Sequence, residues 1–337
     1  MKIRENVNIS ELSTMKIGGI ARYVFEIEDT TEVFMIIPKM EEMGIKKYYF
    51  LGSGANTFAT DDGFDGVIIV NKIQGIQKED LGDKIRYTVG GGVDWDEFVD
   101  ETVKNGLTGI ECLAGIPGTV GAAPVQNIGA YGQEVKDSIS KILALDMKKQ
   151  QFVSLSREEC DFSYRHSIFN SGLRGRYFIY AVEFILEKGE IQGELYRSLQ
   201  TYLDENKISS RSPEVLAEAV REVRNSKLPI AGEEASSGSF FKNIYVKEDE
   251  IEELDKRGIP HHGTKINVAW LIEQSGLIGK TFHGFRVSEK APLVLINDSA
   301  KSYEELKKAV QEISKVVEEK FGFKLEQEPN VIGVDND

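Results

Sequence analysis

Gly115-Ile116-Pro117-Gly118-Thr119-Val120-Gly121-Ala122-Ala123-Pro124, running through Val125 into Gln126-Asn127-Ile128-Gly129-Ala130-Tyr131-Gly132, is the stretch on which the reading of this chain turns. Five glycines and two prolines within eighteen residues exclude a packed helix or a central strand. A surface crossover of this length would carry more charge. An apolar loop of small residues instead suggests backbone moulded around a ligand. An earlier loop, Gly52-Ser53-Gly54-Ala55-Asn56-Thr57, directly follows the β-rich run Tyr48-Tyr49-Phe50-Leu51 and can bring N–H groups close to a phosphate. It is not a dinucleotide fingerprint, because Thr57 fills the third glycine position and Asp61-Asp62-Gly63 reads as a turn where a helix should begin. Gly-Lys-Thr occurs once, at Gly279-Lys280-Thr281, but Gln274 stands where a P-loop needs its first glycine, so a P-loop is excluded.

Outward from these loops, Val67-Ile68-Ile69-Val70 and Ile85-Arg86-Tyr87-Thr88-Val89 are further short strands. After Gly90-Gly91-Gly92, the set Trp95, Phe98, Val99 and Val103 has helical spacing, with Gly106 as its stop. A second strand-rich region covers about residues 139 to 187, with a long run from Tyr177 to Leu186. The character then changes. Ser212-Pro213 starts a helix whose stripe is Leu216, Ala219, Val220 and Val223. Ser302 and Glu305 form a capping box ahead of Leu306, Val310, Ile313, Val317 and Phe321, and Gly322 ends that helix. Phe323 to Glu328 alternates as a final strand that Pro329 stops. No internal repeat or low-complexity linker appears, and the pattern is α+β.

With 337 residues, two or three packed lobes are the expectation. Lys plus Arg number 41 against 55 Asp plus Glu, a formal charge of -14, so the overall field attracts neither nucleic acid nor an anionic membrane. A bound polyanion would need local cations and backbone donors. No stretch approaches the roughly 18 apolar residues of a membrane span, and the start, Met1-Lys2-Ile3-Arg4-Glu5-Asn6, does not read as a secretory signal. Cys112 and Cys160 stand far apart, which fits a reducing, cytoplasmic setting without disulfides. The four histidines, His166, His261, His262 and His283, have no carboxylate or cysteine at ligand spacing, so no metal is expected. Gly-x-Ser-x-Gly is absent, and a hydrolase finds no support.

Four runs in this order carry a resemblance over nearly the whole chain: Gly52-Ser53-Gly54-Ala55-Asn56, the block from Ile116-Pro117-Gly118 to Gly132, Tyr164-Arg165-His166-Ser167-Ile168-Phe169, and Gly238-Ser239-Phe240-Phe241-Lys242-Asn243. The sequence resembles the UDP-N-acetylenolpyruvoylglucosamine reductases, the MurB family, in the class that retains a tyrosine loop. The resemblance implies a two-lobed FAD-binding domain of the vanillyl-alcohol-oxidase (PCMH) type plus a smaller C-terminal α+β substrate lobe. The boundaries expected are 1–72 and 73–210 for the two FAD-binding lobes, 211–327 for the substrate lobe, and 328–337 for a tail returning toward the flavin. It further implies NADPH as co-substrate, a UDP-amino-sugar as substrate, and a step of peptidoglycan synthesis carried out by a protein expected to be monomeric.

In that family the FAD pyrophosphate lies against the first two loops. The resemblance therefore assigns cofactor contacts to Gly52, Ser53, Gly54, Ala55, Asn56 and Thr57, and to Gly115, Pro117, Gly118, Thr119, Gly121, Ala122, Gln126, Asn127, Tyr131 and Gly132. Hydride addition to an enolpyruvyl double bond drives negative charge toward the adjacent carboxylate, so fixed positive charge belongs beside that carboxylate and an acid beside the neighbouring carbon. Arg165 matches the family's catalytic arginine, and its guanidinium suits a carboxylate as a planar fork. Ser239 matches the proton donor; a hydroxyl is a weak acid and needs help from its surroundings. Glu328 matches the third catalytic residue, with Glu326 as a competitor two positions earlier. Strict alternation puts Glu328 on the face of Lys324 and Glu326, and donating a proton would require burial to raise its pKa. The family continues with an aliphatic residue and an arginine where this chain has Pro329 and Asn330. Substrate contacts fall to Tyr164, Tyr196, Lys227, Asn243 and Lys265.

Two rivals differ in testable ways. Another FAD-dependent oxidoreductase or oxidase of the same fold would use dioxygen or a different acceptor. A non-catalytic nucleotide-binding protein would be colourless and would not take up FAD.

Overall fold

Tyr177–Lys188 buries alternate stretches of both its faces, as a strand must when it has neighbours on each side and helices packed against it. In the computed structural model, which describes residues 1–228 and 234–334, it is the centre of a six-stranded sheet. The order is Gln151–Ser156, Ile139–Asp146, Tyr177–Lys188, Lys84–Gly90, Ile76–Asp80, with Leu107–Thr108 also paired to the central strand, antiparallel throughout. The strands read at 85–89 and 177–186 are these.

The helix Trp95–Lys104 lays Trp95, Phe98, Val99 and Val103 into the sheet's core beside Tyr87 and Phe184. Asp94 caps its start by accepting from the amides of Asp96 and Glu97, and Gly106 (φ 68°) lies just past its end. The helices Arg197–Glu205 and Pro213–Lys227 bury Leu199, Leu203, Leu216, Ala217 and Val220 in the same core. A second sheet orders Lys2–Asn8, Ile20–Ile27, Phe64–Asn71 and Tyr48–Leu51, the last pair parallel. Short helices Thr30–Val33 and Ile36–Glu42 close its apolar face with Val33, Ile36 and Met40.

The chain divides into two compact units: residues 1–6, 22–53 and 65–225, and residues 7–21, 54–64 and 226–337. The boundaries expected at 72/73 and 210/211 do not coincide with this division. The last three residues of the expected tail lie outside the described residues.

The second unit has its own core, in which Met15, Phe58, Phe240, Phe241, Leu271, Phe285, Ile313 and Val317 are all but sealed from solvent. Its long helix is Tyr303–Phe321, with the capping box of Ser302 and Glu305 formed and Gly322 left-handed at φ 78°. The Asp61 carboxylate also accepts from the Tyr303 and Glu304 amides (2.7 and 3.0 Å), placing negative charge at the helix start.

One expectation fails. Residues 323–328 are not a strand; only an isolated bridge joins Gln327 to Phe241, and the strand Asn330–Ile332 follows Pro329, parallel to Thr57–Ala59. Proline lacks an N–H but does not prevent pairing by the residue after it: the Asn330 amide donates to Asn56 O at 3.0 Å.

Candidate active site

Within the first unit the glycine block is a ladder followed by a knot of turns. Trp95 N–H donates to Gly118 O, Val120 N–H to Val93 O and Gly121 N–H to Gly91 O, so residues 118–121 run against 91–95. A Cβ on Gly121 would stand 2.9 Å from Gly91 O, so only glycine permits this approach. The amides of Ala122, Ala123, Val125, Asn127 and Ile128 then donate to carbonyls of the same block. Of the residues assigned to the cofactor, Ala122 and Asn127 therefore spend their own amides inside the loop, and Gly121 spends its amide on the facing segment at Gly91 O.

Gly52 meets this block edge-on. A Cβ there would lie 2.9 Å from Thr119 Oγ1 and 3.0 Å from Ala122 Cβ. Thr119 is 9% exposed, and its hydroxyl has no hydrogen-bond partner among the described residues. A buried hydroxyl left unpaired costs stability, and a phosphate or ribityl oxygen seated between the small residues would satisfy it. The residues fit FAD. Ser53 is exposed beside Gly52, and Pro117 is exposed at the bend before Gly118. In the second unit, Gly54 is left-handed at φ 73°, its Cβ position filled by Leu12 O, while Ala55 and Asn56 are half-buried and the next residue, Thr57, is buried as the first of its strand.

Past the knot, Gly129–Ala130 and Gln133–Glu134 pair as a hairpin with register Gly129↔Glu134. Tyr131 (φ 47°) and Gly132 (φ 85°) make its turn, the positive pair that a tight hairpin demands. The Tyr131 ring meets the Tyr196 ring edge-on at 6.0 Å, and Tyr196, at the N-cap of Arg197–Glu205, is 56% exposed. Burial pushes the Tyr131 phenol up.

Arg165 is half-buried and left-handed (φ 53°) in a turn closed by mutual hydrogen bonds between Ser163 and His166 at 3.1 Å. Both its terminal nitrogens lie 3.3 Å from Gly129 O, and its guanidinium stands 5.3 Å from the Tyr164 ring. Asn170 Nδ2 donates to Arg165 O (3.0 Å), and Ser167 Oγ donates to Val125 O (2.5 Å), fastening the turn to the glycine block.

Two residues on this face were not singled out from sequence. Glu134 accepts from Asn127 Nδ2 (3.0 Å) and pairs with Lys136; burial alone would raise its carboxyl, but Lys136, Asn127 and Arg165 together hold it below the usual range. Arg224 donates from Nε to Gly115 O (3.1 Å), and burial lowers its pKa. Its neighbour Arg221 grips Asp96 (2.9 Å) and Asp100 (2.5 Å), and Asp96 accepts the Gly115 amide at 2.7 Å. Arg224 was legible in principle: it continues the buried stripe Leu216–Val220 by one more i+4 step. The thiols of Cys112 and Cys160 are pushed up to about 12, burial being the main cause, and so are not nucleophiles.

In the second unit, Ser239 is half-buried and bridged to Val294, with the next amide, Phe240 N–H, donating to Leu293 O at 2.7 Å. The Glu328 amide donates to Phe240 O (2.9 Å), so the backbone of Glu328 lies beside that of the Ser239 segment. Glu328 is half-buried, whereas Glu326 is exposed and paired with Lys242 at 2.6 Å. Two residues before Ser239, the buried Ser237 hydroxyl has no partner among the described residues. Asn243 Oδ1 accepts the Val268 amide at 3.3 Å, so this side chain supports the start of the helix Val268–Gln274. Lys265 lies on a short strand opposite Tyr245 and His262, and Lys227 is exposed at the end of Pro213–Lys227. Among the described residues no helix is long and apolar enough to cross a membrane.

Residues 21–148 match the FAD binding domain model, and residues 230–332 match the model of the UDP-N-acetylenolpyruvoylglucosamine reductase C-terminal domain. The chain is 33% identical to the UDP-N-acetylenolpyruvoylglucosamine reductase of Flavobacterium johnsoniae, over 98% of this chain and all of that one. It is 35% identical to the enzyme of the same name from Amoebophilus asiaticus, again over 98% of this chain and 100% of the relative. The crystal structure of UDP-N-acetylenolpyruvylglucosamine reductase (MurB) from Thermus caldophilus shares the fold, with a TM-score of 0.67 at 22% identity over 98% of this chain and 99% of that one. The chain belongs to the UDP-N-acetylenolpyruvoylglucosamine reductase family and is an FAD-dependent oxidoreductase.

Proposed function

We propose that this protein reduces UDP-N-acetylglucosamine enolpyruvate to UDP-N-acetylmuramate, with NADPH as electron source, as a cytoplasmic monomer serving peptidoglycan synthesis. The observation that carries this reading is relatedness along the whole chain: a third of the residues are identical over 98% of it. Bound FAD would supply the redox chemistry, taking a hydride from NADPH and giving it to the terminal carbon of the enolpyruvyl group. The remaining work falls to this chain's own side chains.

The guanidinium of Arg165 is the charge that meets the substrate carboxylate as negative charge spreads into it. Its two terminal nitrogens are aligned together by Gly129 O, so the fork is oriented before a ligand arrives. Ser239 Oγ delivers the proton to the carbon next to the carboxylate. Glu328, half-buried and with its backbone joined to the Ser239 segment, is favoured over the exposed, Lys242-paired Glu326 as the accompanying acid. The Tyr164 and Tyr196 rings, Lys227 and Lys265 are the sugar-nucleotide contacts of this reading, with Asn243 in support. Local cations would offset the protein's net charge of -14 toward a diphosphate.

The purified protein should be yellow. Anaerobic NADPH should bleach it, and the UDP-enolpyruvyl sugar should restore the colour without air. Colour returning only when air is admitted would favour an oxidase and overturn the reading. A colourless protein that cannot be reconstituted with FAD would favour a nucleotide-binding role without catalysis.

A further inference from the structure

Asn127 is 1% exposed and left-handed at φ 45°, and its side chain uses both ends. Its Nδ2 donates to Glu134 Oε2 and to Ser163 O, each at 3.0 Å, while its Oδ1 accepts the Lys136 amide at 3.1 Å. One amide group thus ties two pieces of chain that are distant in sequence. The first is the hairpin 129–134, which presents Gly129 O to Arg165 and carries Glu134 opposite Gly129. The second is the turn 163–166, which carries Arg165 itself. A Cβ on Gly129 would touch Glu134 Cγ at 3.1 Å and Arg165 Nη1 at 3.6 Å, so carboxylate, carbonyl and guanidinium are packed around one point. Asn127, Tyr131 and Arg165 all hold positive φ without being glycine, and backbone strain of this kind persists only where surrounding bonds enforce it.

We infer that Asn127 is a positioning residue for Arg165: it locks the hairpin to the arginine-bearing turn and so sets the plane of the guanidinium, instead of contacting the flavin. The inference rests on the reading of Arg165 as the group that meets the substrate carboxylate. Loss of the side chain leaves the Glu134 carboxylate and Ser163 O, two residues before Arg165, each without one donor, and Ser163 O keeps only the His166 amide. The arginine keeps its charge and loses its register.

The test follows the two half-reactions separately by stopped-flow absorbance in FAD-loaded Asn127→Ala, Arg165→Lys and the double variant. In Asn127→Ala, flavin reoxidation by the UDP-enolpyruvyl sugar should slow by about 10- to 100-fold, the scale of a small misplacement of a reacting group. NADPH-driven reduction and the FAD dissociation constant should stay within about twofold, on the same argument that only the placed group is disturbed. The double variant should be no slower in reoxidation than Arg165→Lys alone, because the second lesion acts through the first. Should Asn127→Ala not accumulate folded, Asn127→Asp is read in the same way, since it keeps the acceptor for Lys136 N–H and loses the donor to Glu134 and Ser163. Weakened FAD binding, equal slowing of both half-reactions, or additive losses in the double variant would overturn the inference while leaving Arg165 in place. Normal reoxidation in Arg165→Lys would remove the reading on which it depends.

Discussion

Around Arg165 the turn closed by the Ser163–His166 main-chain pair is fastened to its surroundings by side chains, with Asn127, Ser167 and Asn170 each spending a polar group on it. Around Ser239 it is held by main chain: the bridge to Val294, Phe240 to Leu293, and Glu328 to Phe240. The difference follows from local structure. A left-handed arginine in an irregular turn has no ladder to join, so neighbouring side chains must satisfy its carbonyls and those beside it. The Ser239 segment is extended and pairs on both sides. A side-chain lock can be cut by truncating one side chain; main-chain hydrogen bonds survive that change. The guanidinium of Arg165 is therefore tunable through its neighbours, and the Ser239 segment is set by the backbone.

The largest effect should come from removing the hydroxyl itself. Ser239→Ala should slow flavin reoxidation by the enolpyruvyl sugar by about 10²- to 10⁴-fold, the usual worth of a positioned acid. Rapid-mixing traces should show NADPH-driven reduction nearly unchanged; a parallel loss in both phases would argue that Ser239 is not the donor. Next comes Arg165→Lys, where an ammonium cannot reproduce the planar fork, and a loss of about 10- to 100-fold in kcat/KM is expected from one charged hydrogen-bonding pair. Near-normal turnover would take Arg165 out of the mechanism.

Smaller still is a lock elsewhere in the first unit. Asp146 is 1% exposed, gripped by Arg176 at 2.7 and 3.1 Å, and accepts the amides of Lys148 and Lys149 at 3.0 Å. The Arg176 hydrogen bonds, opposed by burial and helped by those amides, hold its carboxyl below the ordinary range. Asp146→Asn should cost about 1–3 kcal/mol in urea unfolding at neutral pH. A depressed carboxyl stabilises the fold above its unfolded pKa of about 3.9 and loses that contribution as pH falls through the lower folded value. The gap between wild type and variant should therefore close in acid, and a gap that widens there would contradict the assignment. The smallest effect is expected at Glu326, whose exposed pair with Lys242 is worth about 0–1 kcal/mol. Glu326→Gln should leave reoxidation within about twofold, as for an exposed ion pair, while Glu328→Gln slows it; the reverse pattern would exchange their roles.

Much of this was legible in the residues. Trp95, Phe98, Val99 and Val103 announced their helix by spacing, and Ser302 with Glu305 announced the cap, because both signals are local. The glycine block was recognisable because few other structures tolerate its composition. The Asn127 tie to Ser163 was not legible, since it joins residues far apart in sequence and a buried asparagine in a glycine-rich loop carries no periodic signature. Tyr131-Gly132 was missed as a hairpin turn because tyrosine is an unusual occupant of positive φ. The strand after Pro329 was misplaced because alternation in 323–328 imitated one. There it reflects partial burial beside Phe240–Lys242, with a single bridge in place of a ladder.

The parallel pairing of Asn330–Ile332 with Thr57–Ala59 also has a consequence for biosynthesis. Thr57–Ala59 leaves the ribosome long before its parallel mate, Asn330–Ile332, is translated. Contacts so remote along the polymer close slowly, and until they do the apolar face around Phe58 stays open to mispairing. An excised piece beginning at Ser226 would keep Asn330–Ile332 but lack Thr57–Ala59 altogether. Maturation of the serine-bearing half must therefore wait for the strand Asn330–Ile332, and shielding of the nascent polypeptide until then would matter for its yield.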